Sequence, residues 1–167
     1  MTIYLSLGRI IIEKTKEDEK MEILNREAKY RYFIEDEIEC GISLVGTEIK
    51  SIRDGKCNIK DSYAIIRNNE VMVLNMHINE YKEGNIFNHD PKRTRKLLLH
   101  KSEIRKLKIH VEQEGCTLVP LKVYFVKNKA KLLLGLCKGK KMFDKRETIK
   151  QRELDREASK LHKYNYK

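Results

Sequence analysis

Between Tyr32 and Leu44 strand-forming residues dominate, and over the second half Ile38, Cys40, Ile42 and Leu44 alternate with polar neighbours. A period of two sends alternate side chains to opposite faces, so the stretch predicts a half-buried strand with Glu39 pointing outward. Gly46 breaks it. Thr47–Gly55 predicts a short helix with Thr47 as N-cap, Ile49 and Ile52 as its buried face and Gly55 just past its end. Tyr63–Arg67 and Val71–Leu74 predict two strands joined by a tight turn at Asn68-Asn69, because Asn tolerates positive φ. His77–Arg95 predicts a long polar loop containing Asn88-His89-Asp90-Pro91. After the apolar run Leu97–Leu99, His100–Glu114 predicts a helix ended by Gly115. Ile104, Leu107 and Val111 share one face, and Glu103 stands three after His100, as in a capping box. Thr117–Phe125, a turn at Lys127–Lys129 and Lys131–Cys137 predict a second hairpin.

Six or so short strands with two short helices predict a mainly β fold, a closed antiparallel barrel of the OB type. The pattern changes at Lys138. Only Ile149, Leu154, Ala158 and Leu161 could form an apolar stripe, and Ile149 lies well off the face of the other three. Leu and Ala among many Lys, Arg and Glu favour helix, yet so little apolar surface cannot hold one firmly. The tail is therefore expected to be disordered alone and helical on a partner. Residues 1–24 show no turn chemistry and no clear period, and Met21 directly precedes Glu22-Ile23-Leu24-Asn25-Arg26, where organised sequence begins. That predicts either that Met21 is the natural start or that the preceding residues are dispensable. The expected division is an extension at 1–22, a barrel at 23–137 and a basic tail at 138–167.

Charge sharpens this division. The chain has 167 residues, 36 Lys and Arg against 25 Asp and Glu, and a net charge of +11. Residues 1–20 balance four basic groups against four acidic ones, whereas Lys138–Lys167 carries 11 against 5. A basic terminal arm suits nucleic acid or an anionic membrane, because neutralised phosphates release counterions; a solvated charged helix is the plain alternative. No apolar run approaches the roughly 20 residues of a membrane span. Ile3–Ile12 is broken by Ser6, Gly8 and Arg9 and lacks a small-residue cleavage site, so secretion is not expected. Cys40, Cys57, Cys116 and Cys137 have neither disulfide-framework nor zinc spacing, which predicts reduced thiols in a cytoplasmic protein. His77, His89 and His100 with Asp61 and Asp90 form no metal signature, so no metal or cofactor is expected. Ser62 has no nucleophile-elbow context, and no phosphate-binding Gly-Lys loop exists. The chain reads as a non-enzyme.

At this point the sequence resembles one family, SmpB, the SsrA-binding proteins. The resemblance is carried by Asn25-Arg26 with Ala28, Tyr32-Phe33-Ile34-Glu35, Glu39 with Gly41, and Gly46-Thr47-Glu48-Ile49-Lys50-Ser51-Ile52-Arg53. It continues through Gly55-Lys56, Asn58, Asp61-Ser62-Tyr63, Asn88-His89-Asp90-Pro91, Arg95-Lys96-Leu97-Leu98-Leu99-His100 and Leu118-Val119-Pro120-Leu121-Lys122. Lys138-Gly139-Lys140-Lys141, Asp144-Lys145-Arg146 and Ile149-Lys150 complete it, so that about residues 23–160 are covered. One position departs: family members often carry Tyr or His before the Asp, where this chain has Phe143, which can stack on a base but cannot donate a hydrogen bond.

The resemblance implies a six-stranded OB-type barrel that binds the tRNA-like part of transfer-messenger RNA (tmRNA) in trans-translation. It implies a tail entering the decoding centre and empty mRNA channel of a stalled ribosome, against small-subunit rRNA, in place of codon–anticodon pairing. Alanyl-tRNA synthetase and elongation factor Tu would be indirect partners through tmRNA, the protein itself being a monomer with no membrane partner. For tmRNA it points to Glu39, Lys50, Arg53, Asn58, Arg95, Lys96, Leu98, His100 and Lys131. For the ribosome it points to Lys138, Lys140, Lys141, Phe143, Asp144, Lys145, Arg146, Ile149 and Lys150. Several of these have plainer readings from the residues alone. Glu39 could be a solvated strand carboxylate, Leu98 between Leu97 and Leu99 reads as core, and His100 could simply begin a helix. A general OB-type binder of structured RNA is the other reading of the same features.

Overall fold

The computed structural model describes residues 21–84 and 88–164. The expected extension at residues 1–20 lies outside the described residues. In chain order the elements are β1 (Glu22–Leu24), α1 (Ala28–Arg31), β2 (Tyr32–Ile42), α2 (Gly46–Arg53), β3 (Cys57–Asn58), β4 (Tyr63–Arg67) and β5 (Glu70–Leu74). They continue with β6 (His77–Ile78), β7 (Arg95–Leu98), α3 (Lys101–Glu114), β8 (Thr117–Val126), β9 (Lys129–Gly139) and α4 (Met142–Tyr164).

Antiparallel pairing runs β4-β5-β7-β2-β9-β8, and β8 returns to β4 through Ala64 and Leu118. Six strands thus close into a barrel, which leaves the ring without an open edge. β1 lies along the far half of β8, and β3 pairs with β6 as a separate ribbon. Long strands serve the closure: β9 pairs β2 on one side and β8 on the other.

Alternation decides what fills the barrel. Cys40 and Ile42 of β2, Val71 and Val73 of β5, Leu97 of β7 and Leu132, Leu134 and Leu136 of β9 face inward. Ile52 from α2 and Ile104 and Leu107 from α3 join the same core. Each such side chain, fully buried, contributes about 1.5–3 kcal/mol relative to leaving it in water. The opposite face of β8 and β9 carries a smaller cluster of Val119, Leu121 and Cys137 with Ala28 of α1. Leu121 is the extra residue of a bulge in β8, and a Cβ on Gly135 would lie 2.8 Å from its Cδ1. Gly135 therefore makes room for the bulge.

Both hairpin turns follow the sequence. Asn68 and Asn69 have φ of 52° and 58°, and Lys127 and Asn128 have 46° and 64°, the positive values a two-residue hairpin requires. Gly115 ends α3 at φ 66°, and the Glu103 carboxylate accepts from the His100 N–H at 2.7 Å. One expectation is corrected. α2 begins at Gly46 with Val45 at its N-cap, where the Glu48 carboxylate accepts the Val45 N–H at 2.8 Å; Thr47 bonds His89 instead. Strand β9 runs on to Gly139, and β1, outside the closed ring, starts at Glu22. The tail helix starts at Met142, and the Asp144 carboxylate accepts the Lys141 N–H at 2.9 Å, closing its first turn.

Beneath α2 lies a buried polar knot. Glu48 and Arg95 are both fully buried, and Arg95 Nε donates to Glu48 Oε1 at 2.8 Å. Arg93 adds a bidentate pair to the same carboxylate at 2.7 and 2.6 Å. The remaining Arg95 N–H groups donate to the carbonyls of Met76, Arg93 and Pro91. Burial acts to raise Glu48, but hydrogen bonds from Arg93, the Val45 N–H and Arg95 outweigh it and hold the carboxyl below the ordinary range. Buried charges persist only when paired and bonded in this way. His89 extends the knot, joining Thr47 Oγ1 at 2.9 Å and the Ile78 carbonyl at 3.1 Å. Much of the Gly-Thr-Glu and Asn-His-Asp-Pro sequence thus serves to pin residues 88–95 beneath α2.

Candidate nucleic-acid interface

The outer surface of β7, β2 and β9 forms a shallow groove of about 570 Å³. Register builds it. Leu98 of β7 lies opposite Gly41 of β2, Gly41 opposite Lys131 of β9, and Lys131 opposite Tyr124 of β8. One transverse row therefore presents an apolar platform, a gap, a cation and an aromatic ring. A Cβ on Gly41 would stand 3.2 Å from Leu98 Cβ, so the glycine lets Leu98 sit close across β2. Leu98 is 54% exposed, which corrects its reading as core.

Glu39, two residues before Gly41, faces the same way as expected and is exposed. Its carboxylate accepts the Tyr124 hydroxyl and pairs with Lys131 Nζ at 3.1 Å. The Tyr124 hydrogen bond first, then Lys131, hold Glu39 below the usual carboxylate range against the opposing effect of burial. Burial and Glu39 push the Tyr124 hydroxyl up, so it stays protonated and keeps donating. Lys122 Nζ sits 4.9 Å from the Tyr124 ring centroid. Lys96 pairs with Glu70 at 2.5 Å, and His100 closes the end of the groove at the start of α3. Glu39, Lys96, Leu98, His100 and Lys131, scattered over 93 positions of sequence, thus line one groove. Tyr124 and Glu70 were missed. Period-two alternation in Thr117–Phe125 was the available signal for Tyr124, but nothing local tied it to Glu39.

The other expected RNA residues lie elsewhere. Lys50 and Arg53 are exposed on α2, over the rings of Tyr81 at 5.0 Å and Phe125 at 5.5 Å. Asn58 is exposed on β3 and accepts the Lys60 N–H at 2.9 Å. Arg95 is corrected outright: it is 0% exposed, with its guanidinium spent on Glu48 and backbone carbonyls, and offers nothing to a phosphate.

A second basic region begins where β9 ends. Lys138 belongs to the barrel and pairs with Glu35 at 2.8 Å and Glu114 at 3.7 Å. Lys140 Nζ donates to the Lys29 carbonyl at 2.9 Å, bonds Thr148 Oγ1 at 3.0 Å and lies 4.8 Å from the Phe33 ring centroid. Those contacts tie the root of α4 to α1. Beyond them Lys141, Arg146, Ile149 and Lys150 are exposed, Lys145 is partly so, and Phe143 is 69% exposed. Arg152 meets the Tyr30 ring at 6.0 Å, and the described side chains past it stand in solvent.

Glu35, Glu114 and Cys116 come within 4.8 Å of one another, but the Lys138 ammonium already lies against both carboxylates, and burial pushes the Cys116 thiol up. Cys40 and Cys57 are pushed up to about 12 and Cys137 to about 11, chiefly by burial, so these thiols are protonated and inert. Among the described residues no helix is long and apolar enough to cross a membrane.

Comparison with known proteins agrees with this geometry. The SsrA-binding protein of Acetivibrio thermocellus is 53% identical over 152 residues, covering 91% of this chain and 99% of that one. That of Enterococcus faecalis is 54% identical over 150 residues, covering 90% and 97%, respectively. A solved chain from "tmRNA-SmpB: a journey to the center of the bacterial ribosome" matches at 48% identity and a TM-score of 0.62, over 72% of this chain and 85% of that one. The family model described as SmpB protein matches residues 22–164, from β1 to the last described residue of α4. The chain belongs to the SmpB family.

Proposed function

We propose that this protein binds tmRNA and brings it to stalled ribosomes in trans-translation, acting in the cytoplasm as a binding protein without catalysis of its own. The observation that carries this reading is the groove, where five residues singled out from sequence meet on one face. Leu98 offers an apolar seat for an unstacked base or ribose. Glu39, held ionised by Tyr124 and Lys131, accepts from base N–H groups. Single-stranded or looped RNA with exposed base edges fits such a surface better than the closed face of a duplex.

The tail has a separate task. On the ribosome, α4 runs along the vacant mRNA channel as a helix, with Lys138, Lys140, Lys141, Phe143, Asp144, Lys145 and Arg146 at the decoding centre. Ile149 and Lys150 follow on the same arm. Phe143 stacks on an rRNA base, and the cations meet phosphates. With its described apolar side chains Met142, Phe143, Ile149 and Leu154 exposed, the helix gains its stability from that surrounding RNA.

Sequencing the RNA that co-purifies with the protein tests the reading. Strong enrichment of tmRNA over bulk rRNA is expected, together with loss of that enrichment in Glu39→Ala. Uniform recovery of structured RNAs would instead make the protein a general RNA binder.

A further inference from the structure

The groove carries little net charge of its own. Lys131 is answered by Glu39 and Lys96 by Glu70, while the Glu103 carboxylate caps the His100 N–H. Charge that meets no carboxylate lies instead on the rim. Lys101 and Arg105 stand four apart on α3, so both project from one side of the helix, and Lys101 itself lines the groove. At the opposite end the β8–β9 turn presents Lys127 and Lys129. Lys129 lines the continuation of the groove past Gly41 and Leu98, alongside Lys131. All four side chains are exposed, and among the described residues none has an ion pair or side-chain hydrogen bond. Lys108, three residues beyond Arg105 on the same side of α3, is answered by Glu112 at 3.7 Å.

Resting on the reading of the groove as the tmRNA site, we propose that binding there is divided in two. The groove floor recognises bases and riboses with little gain from charge. The rim cations Lys101, Arg105, Lys127 and Lys129 hold the phosphodiester backbone on both sides of it. The division follows from electrostatics. A lysine already paired with a carboxylate must give up that partner, or share it, to meet a phosphate, so it releases few counterions on binding. An unpaired, solvated lysine or arginine gives the full polyelectrolyte effect. Attraction and registration of the RNA therefore come from the rim, and discrimination comes from Glu39 and Leu98.

Salt titration of tmRNA binding by the full chain tests the proposal. Two rim pairs, Lys101→Gln with Arg105→Gln and Lys127→Gln with Lys129→Gln, are compared with Leu98→Ala and with a control pair, Lys82→Gln with Lys92→Gln. The control removes two exposed cations from the 79–94 segment. Each rim pair should flatten the log–log salt slope by about 1.5, roughly an eightfold difference across a fourfold change of salt. Leu98→Ala should lower affinity by the same factor at every salt concentration, and the control should follow the native protein. Rim variants that run parallel to the native protein would overturn the proposal, and so would a control that flattens the slope equally. Absence of tmRNA binding by the native protein at any salt would instead bring down the functional reading itself.

Discussion

The groove and the tail, the two surfaces we propose for RNA, are built in opposite ways. Groove residues come from β2, β7, β9 and the start of α3, and strand register holds them in place. Lys96 and Lys131 on the groove floor are paired with carboxylates before any RNA arrives. The tail is one continuous segment with local helix bonds, and most of its described side chains are exposed. A preformed site costs little ordering entropy on binding and can discriminate. A bare helix must be completed by its partner and suits a long, confined, anionic path.

Truncation after Gly139 should separate the two most sharply. tmRNA binding should persist in a gel-shift titration, because β9 is complete at that residue, while peptide tagging in a reconstituted stalled-ribosome assay should fall to background. Undiminished tagging would reduce α4 to a solvated arm. Arg95→Met attacks the other side of the comparison. Leaving Glu48 buried with one partner fewer should cost about 3–5 kcal/mol in a urea melt and remove groove binding along with the fold. A melt unchanged to within 1 kcal/mol would mean that Arg93 alone satisfies Glu48.

Glu39→Ala should weaken tmRNA binding about tenfold, near 1.4 kcal/mol, with a melt within about 0.5 kcal/mol of native, since the residue is exposed. Equal losses of fold and binding would make it a structural residue. Asp144→Ala should fray the first turn of α4 by about 1 kcal/mol, read as lost amide protection at Lys141, with tmRNA binding unchanged.

The smallest effect concerns pH. With its folded value held below the ordinary 4.5, Glu39 contributes stability that is fully present above that value and lost as pH falls through the lower folded one. Carboxyl NMR titration should find Glu39 below 4.5, and Tyr124→Phe should move it upward by removing the donor. A titration unaffected by Tyr124→Phe would remove that hydroxyl from the site.

Local physics made much of the molecule legible. The paired Asn turn, the α3 frame from His100 to Gly115, the alternation that turns Glu39 outward and the poor apolar face of the tail each depend on neighbours within a few residues. Barrel closure was readable from strand count and turn spacing. The site itself was legible only through family likeness, because charge and periodicity marked Lys96 or Lys131 no differently from any other surface lysine.

Strand β7 shows where sequence stops. By hydropathy, Arg95 belongs outside and Leu98 inside, but the burial order along Arg95-Lys96-Leu97-Leu98 places Arg95 and Leu97 within and Lys96 and Leu98 without. A two-residue period permits only one of Leu97 and Leu98 in the core, and nothing in the strand says which. The choice is made by Glu48, 47 positions earlier on α2, whose buried carboxylate gives Arg95 a reason to point inward. Tyr124 finds Glu39 across 85 positions in the same way. Short-range order follows from the sequence because turns, caps and periodicity act between neighbours. Charge pairing across the sheet and the exposure of Leu98 follow only from closure, because they depend on which distant strands the barrel brings side by side.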